Sequence, residues 1–431
     1  MPDPIALCVI ARNEAQNLPR LLESVRDVVS EIVLVDTGST DETAAIAKRA
    51  GARVVAHPWQ ESFALARNAG LAEVRSPWVL ILDADEALHP DDRPLLRALP
   101  DSLTGVEGCF LRVISFVGAA PGPDQVHDCR LSLFRNRPEY RFQGAIHEQI
   151  LPSIYAADAR AVITVAPIRI LHYGYLSTGT KSGKRERNLS ILQAALTREP
   201  DEPFWHYAIA AEWMGEGDFA QALEHLAVAA RLWSPAFPHH SDVVRKQIIC
   251  LTELQRMDGA VDLARAGLQL HPAYTDLAFL AGVAELRRHQ AAAAREWFAR
   301  CLELGEAPYR YQSWSGVGGF RSLAALGALA EQPQEAAAYF RAALMEAPDW
   351  QSAQVGLAGA LAQMPLEQAQ AWVAERLDCT HAPTMLALGN ALLQARGAAL
   401  LHRLVRPRSS PAHFLLAAAL CLHQAAAVRA E

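Results

Sequence analysis

A chain of 431 residues is too long for one compact core, so two or three domains are expected. Apolar residues make up 51% and charged residues 20%, and the formal net charge of −7 provides no global basic field, which argues against nucleic acid or an anionic membrane surface as the main partner. The seven cysteines are scattered, odd in number and never form CxxC, a pattern that points to buried thiols in a reducing compartment rather than to disulfides or a zinc site.

The opening stretch MPDPIALCVIARNE lacks the basic segment, long apolar core and small-residue cleavage site of a secretory signal, and reads as a first strand. Apolar runs elsewhere stay short of the roughly 18–20 residues that span a bilayer. The expectation is a cytoplasmic protein that meets a membrane only through a partner or a lipid-linked substrate.

Up to about residue 200 the chain alternates short Val-, Ile- and Leu-rich runs with helical patterns. IALCVI (5–10), EIVLVD (31–36), ARVVAH (52–57) and WVLILDAD (78–85) read as strands, and AQNLPRLLESVRDV and DETAAIAKRAG as helices between them. Such alternation predicts βαβ units and a mostly parallel, Rossmann-like sheet, whose ligands sit beyond the carboxyl ends of the strands. Polar clusters fall there: Arg12-Asn13-Glu14, Asp36-Thr37-Gly38-Ser39 and Asp83-Ala84-Asp85.

The run WVLILDADE enters two carboxylates one residue apart. In a strand, alternate residues share a face, so Asp83 and Asp85 are expected to point the same way and to need a cation between them and a diphosphate. Alone, the pair is a weak signal and fits a solvated acidic turn capping the next helix better than a metal site. In VDTGSTDETAAIAKRAG, Gly38 permits a tight turn, and Ser39 or Thr40 with Asp41 or Glu42 reads as a helix N-cap. That leaves Asp36 at a strand end, able to accept hydrogen bonds from a nucleobase edge or a ribose.

From about residue 204 the chain is Ala- and Leu-rich with helical periodicity. Pro235, Pro272, Pro308 and Pro348 recur at spacings of about 36 to 40 residues, each expected to close a helix pair. Ala222 and Ala230, Ala260 and Ala266, and Ala336 and Ala343 are the small residues expected at helix contacts. A period in the thirties with helix–turn–helix units is that of tetratricopeptide-type repeats. The expected domains are 1–200, an α/β sheet domain; 201–348, helical repeats; and 349–431, further helices or a cap. The pair His239-His240 reads as an inter-repeat loop, and the Gly-rich QSWSGVGGFRSL as a tight inter-repeat turn. Trp59, Phe63 and Trp78 read as core or pocket walls.

The order ARNEAQNL, VDTGSTDET, ARNAG (66–70), LILDADE resembles the family 2 glycosyltransferases of GT-A fold. LFRNRPEYRFQGAIHEQI (133–150) and LHYGY…KRERNL (171–189) resemble a narrower subgroup, the SunS-like peptide glycosyltransferases and lipopolysaccharide-core glucosyltransferases, which often carry trailing tetratricopeptide repeats. The resemblance implies that Asp36 contacts the uracil or ribose of a UDP-sugar. Ala11, Arg12, Asn13 and Glu14 would line the nucleotide pocket, with Glu14 near the ribose. Arg67 would face the base or diphosphate, Asp83 the ribose or sugar, and Asp85 would bind Mn²⁺ or Mg²⁺.

Sugar transfer needs the charge of the leaving diphosphate neutralised and a base for the acceptor proton. Lys181, Lys184, Arg185 and Arg187 could close over the phosphates as a lid hinged at Gly179 and Gly183; a charged linker is the alternative. Glu148 is the candidate base. His147, its neighbour, is the other catalytic candidate, and the two would face oppositely if the segment is extended, so that only one points inward; Asp128 is a fallback base. His172 is a second candidate metal ligand. The expected reaction is inverting, metal-dependent transfer from a UDP- or other NDP-sugar to a peptide side chain or an envelope saccharide, with the repeats binding the acceptor or forming a homodimer. The rival reading is a repeat-based interaction scaffold with a vestigial catalytic domain. A nucleotidyltransferase would want a Gly-rich basic loop after the first strand, which ARNEAQNL does not supply.

Overall fold

The computed structural model describes residues 4–176, 182–235, 237, 239–376, 389 and 392. Its first part is β1 (Ile5–Ala11), α1 (Leu18–Val25), β2 (Glu31–Asp36), α2 (Thr43–Arg49), β3 (Arg53–Ala56), α3 (Phe63–Leu71), β4 (Trp78–Ile81), β5 (Glu86–Leu88), α4 (Arg93–Ser102), β6 (Val106–Phe116), β7 (Gln125–Arg135), α5 (Leu151–Ala157) and β8 (Val162–His172). These strands form one mixed sheet in the order β3-β2-β1-β4-β7-β6-β8-β5. β3, β2, β1 and β4 are parallel, as the βαβ reading required; β7 runs antiparallel to both β4 and β6, and β8 parallel to β6.

Strand alternation divides the core between two faces. Ile5, Leu7 and Val9 of β1 pack with Leu18, Leu21, Leu22 and Val25, the apolar stripe of α1. Ala6 and Cys8 face the other way, against Ala64 and Leu71 of α3. The helix comes closest at Gly70, where a Cβ would lie 2.6 Å from Cys8 Sγ and 2.8 Å from Val35 Cγ2. Trp78 is wholly buried and belongs to the core. Cys8, Cys109, Cys250 and Cys301 are buried free thiols, and burial pushes Cys8 up to about 12; Cys379 and Cys421 lie outside the described residues.

Two compact units divide the chain. The first takes in the sheet and runs on to Leu254, together with Tyr309–Gln312; Gly122–Asp124 group with the second. The first unit therefore also holds α6 (Ser182–Arg198), α7 (Pro203–Glu216), α8 (Phe219–Leu232) and α9 (His240–Glu253). Gly217, with φ of 80°, ends α7, and the Asp218 side chain accepts from Gln221 N (3.0 Å) to cap α8. Helices α6 and α7 are seated on the sheet domain: Ile191, Leu192, Trp205 and Ile209 enclose Ile146, with Trp59 and Phe63 packed alongside. His240 is the first residue of α9 and is buried, so the His239-His240 pair begins a helix rather than lying wholly in a loop.

The second unit contains α10 (Met257–Leu270), α11 (Thr275–Arg287), α12 (Ala291–Leu304), α13 (Phe320–Leu329), α14 (Pro333–Glu346), α15 (Gln351–Gln363) and α16 (Leu366–Arg376). Pro235, Pro272, Pro308 and Pro348 lie just past α8, α10, α12 and α14, the second helices of successive pairs. Ala222, Ala260, Ala336 and Ala343 are buried at contacts. Ala266 is exposed and Ala230 only half-buried; Ala264 and Ala229 take those places, because the spacing read from the sequence missed the contact face by one or two residues. The Gly-rich stretch makes the expected tight turn, with Gly319 N and Arg321 N both donating to Gly316 O. No helix among the described residues is long and apolar enough to cross a membrane.

Candidate active site

The ends of β1, β2, β4, β6 and β8 and the start of β7 meet at one sheet edge, as the strand directions require. There the loops after β1 and β2 lock together. Asn13, in left-handed backbone (φ 58°), donates from N to Ser39 Oγ (3.0 Å) and accepts from Thr40 N at Oδ1 (2.7 Å). Glu14 N donates to Thr43 Oγ1 (2.8 Å) and Ala15 N to Asp41 Oδ2 (3.1 Å). Asp41, not Ser39 or Thr40, satisfies the first turn of α2 by accepting from Thr43 N (3.0 Å), since the helix starts later than the motif suggested. Ala11 is buried in the sheet and Arg12 is exposed. Asp36 Oδ1 accepts from Gly38 N (3.1 Å) and Ser39 N (2.8 Å), which fixes the carboxylate at the strand end.

β4 stops at Ile81, so Asp83 and Asp85 stand in a turn, closed by Glu86 N donating to Asp83 O (3.0 Å). They do not share a face. Asp83 accepts from Arg67 Nη2 (2.7 Å) and Arg130 Nη1 (3.1 Å). Burial raises its pKa, but the two guanidiniums outweigh this and hold it well below the carboxylate range. Asp85 turns to His172, with Oδ2 3.6 Å from Nε2.

His172 ends β8, and its Nδ1 pairs with Ser115 Oγ (3.0 Å), which leaves Nε2 toward Asp85. Burial lowers the imidazole pKa; the carboxylates of Asp85, Glu86 and Asp83 more than reverse this, and the net shift is upward. Gly174 adjoins both groups. A Cβ there would lie 2.4 Å from Asp85 Oδ2 and 2.6 Å from His172 Nε2. With metal–ligand bonds of about 2.0–2.2 Å, one divalent ion would reach both donor atoms. Among the described residues no group of three or more His, Cys, Asp or Glu gathers to hold a metal. Two protein donors fit a cation that takes its other ligands from substrate phosphates and water.

The ARNAG motif of α3 explains the opposite wall. Asn68 clamps Phe142, donating to its O (2.9 Å) and accepting from its N (2.8 Å). Arg67, buried, donates through Nε to Glu148 Oε1. Glu148 ends a loop closed by the paired backbones of Gln143 and Gln149, with Gly144 (φ 93°) and His147 (φ 53°) in left-handed conformation. The segment is thus a tight loop rather than an extended run. His147 packs edge-on against Phe204 (6.2 Å), and burial lowers its pKa. Asp128 accepts from Cys129 N (2.7 Å) and Gln312 Nε2 (3.2 Å); enclosure by protein raises its pKa.

Of the basic run, Lys181 lies outside the described residues, as does the side chain of Lys184. Arg185 is drawn onto α7 by Glu216 and Glu212 (3.7 Å), which takes it away from a lid. Arg187 lies over Trp59 and Phe63 (5.7 and 5.4 Å), and burial together with the charge of Arg12 lowers its pKa. A guanidinium whose charge is disfavoured by burial and by a neighbouring arginine suits an anion. Sequence reasoning missed Arg130, Glu86, Asn68, Ser115 and Gly174. Of these, Glu86, Asn68 and Gly174 stood inside quoted motifs, whereas Arg130 and Ser115 lie on strands with no local signal.

Residues 6–150 match the family model for glycosyl transferase family 2, and the N-terminal part of this chain is a glycosyl transferase family 2 domain. A TPR repeat-containing protein of Synechococcus elongatus is 33% identical over 276 residues, 62% of this chain and 66% of that protein. An uncharacterized glycosyltransferase of Rickettsia felis is 38% identical over 91 residues, 20% of this chain and 30% of that protein. The SPbeta prophage-derived glycosyltransferase SunS of Bacillus subtilis is 23% identical over 265 residues, 60% of this chain and 61% of that protein. The chain thus spans about two thirds or less of the length of each.

Proposed function

We propose that residues 1–200 form a catalytic domain that transfers a sugar, with inversion, from a UDP- or other NDP-sugar to a peptide side chain or an envelope saccharide. The observation that carries this reading is the pairing of Asp85 with His172 at 3.6 Å, on the same sheet edge as the Arg67–Glu148 pair. Asp36, with Ala11 to Glu14, borders the nucleoside. Arg12 and Arg187 attract the diphosphate; Lys184, assigned there from the sequence, has its side chain outside the described residues. Asp85 and His172 hold Mn²⁺ or Mg²⁺, which when bound neutralises charge on the departing diphosphate. Glu148 takes the proton from the acceptor as its oxygen or sulfur bonds to the anomeric carbon and the nucleoside diphosphate leaves from the opposite face. His147, kept neutral by burial, orients the loop of that base. The repeat helices of 201–348 recognise the acceptor or pair two copies of the chain, as does the segment 349–431, most of which beyond Arg376 lies outside the described residues, and the protein acts in the cytoplasm.

The test is a panel of nucleotide sugars assayed for hydrolysis with and without MnCl₂. Metal-dependent release of one nucleotide supports the reading and names the donor; no release from any donor, with no binding of UDP and Mn²⁺ by calorimetry, defeats it in favour of a scaffold.

A further inference from the structure

The carboxylates and guanidiniums beside the metal-ligand pair form an unbroken chain. Glu148 accepts from Arg67 Nε; Arg67 Nη2 donates to Asp83 Oδ1 (2.7 Å); Arg130 Nη1 donates to Asp83 Oδ2 (3.1 Å); Arg130 Nη2 donates to Glu86 Oε2 (2.6 Å). The chain then returns on itself, because Asp83 N donates to the same Glu86 oxygen (2.8 Å). It joins four separate parts of the fold: the 144–148 loop, α3, the β4–β5 turn with the start of β5, and β7. Each oxygen of Asp83 accepts from an arginine, although its side chain keeps 34% exposure, and Glu86 is 1% exposed, so it is closed to a ligand. Arg130 is fixed further by Nε donating to Ser132 Oγ (3.1 Å). A substrate hydroxyl at Asp83 would have to share oxygens already bound to cations, whereas Arg67 links this turn directly to the base.

We propose that Asp83, Arg130 and Glu86 are positioning residues for Glu148: Glu86 anchors Arg130, Arg130 and Arg67 hold Asp83 from both sides, and Asp83 so held keeps Arg67 against the base. This rests on Glu148 as the base. The separation of charge–hydrogen-bond partners across four elements makes the alignment cooperative, and loss of one link is felt at the far end.

The test compares Asp83→Asn, Glu86→Gln and Arg130→Lys with the wild type, after confirming unchanged circular dichroism. Two readouts are taken. The first needs no ligand: solvent exchange of the Arg67 Nε–H followed by ¹⁵N-edited nuclear magnetic resonance. Asp83→Asn and Glu86→Gln should speed it by about tenfold or more, and Arg130→Lys by less, because a lysine keeps one of the charge contacts. The second is kinetic. In Asp83→Asn and Glu86→Gln, kcat should fall by about tenfold or more while the Kd for UDP with Mn²⁺ stays within about threefold, and the loss should not add to that of Glu148→Gln. Unchanged Arg67 exchange overturns the proposal. So does a Kd raised about tenfold in Asp83→Asn with kcat retained, which is the result of direct donor contact. If the wild type binds no nucleotide and hydrolyses no donor, the enzyme reading fails, and the exchange readout still decides the linkage.

Discussion

Asp85 Oδ2 stands 3.6 Å from His172 Nε2, and these two atoms come from the β4–β5 turn and the end of β8. Residues 87 positions apart in the chain are brought together because β5 pairs with β8 in the register Glu86↔His172. Asp85→Asn and His172→Gln should each cut metal-dependent donor hydrolysis by about a hundredfold or more. A titration of rate against MnCl₂ checks this, and a variant saturating at the wild-type rate and concentration would remove the metal assignment.

Gly174→Ala gives a sharper test of the same pair. The added methyl would lie within 2.6 Å of both donor atoms, so it must displace one of them. The MnCl₂ concentration for half-maximal rate should rise by about tenfold, with the melting temperature changed little, since the crowded atoms face the site. An unaltered metal titration would show that the donors do not bind the ion where they now stand.

Glu148→Gln keeps shape and loses the proton acceptor. Transfer should drop by about 10²–10⁴-fold while UDP binding persists. Direct comparison of transfer rate with calorimetric Kd decides it; normal turnover would move the base to Asp128 or elsewhere.

Stability should fall as pH drops below about 6.5. Burial holds the pKa values of His147, His225, His239 and His240 below the ordinary 6.5, and that of His127 near 4. The unfolded chain binds protons at these sites first, so their contribution is complete above 6.5 and is lost as the pH falls toward the lowered values. His172, Glu86, Asp128 and Glu306, all raised, act in the opposite sense, and the five lowered imidazoles outnumber them. Melting temperatures measured from pH 7.5 to 5 should decline, and a flat or rising profile would contradict the balance of buried neutral imidazoles.

Replacing Asn68 with Ala removes both bonds to Phe142 and exposes no charge. A loss of about 1–3 kcal/mol follows from leaving the backbone groups of Phe142 unpaired. Thermal denaturation measures the loss, and the loop carrying Glu148 should lose hydrogen-exchange protection with it.

The parallel half of the sheet was legible because β1, β2 and β4 are buried on both faces and read as unbroken apolar runs. The helix pairs were legible through proline punctuation. Asp36, Asp85, Glu148 and His172 stood out as candidates because each lies in a dense local motif. The long strands β6, β7 and β8 went unread: their exposed and buried positions mix, and their partners lie far along the chain.

Local chemistry in the chain alone determined the parallel strands β1, β2, β3 and β4 and the helix pairs, and that acids would gather at one sheet edge. Which acid meets which base was settled only by three-dimensional packing. Asp83 and Asp85, two residues apart, point to different partners because the strand ends at Ile81, and Arg130 reaches Asp83 only because β7 lies beside β4. Side-chain direction after a strand end depends on the turn and on charges delivered from other elements, and neither is encoded in the spacing of the motif.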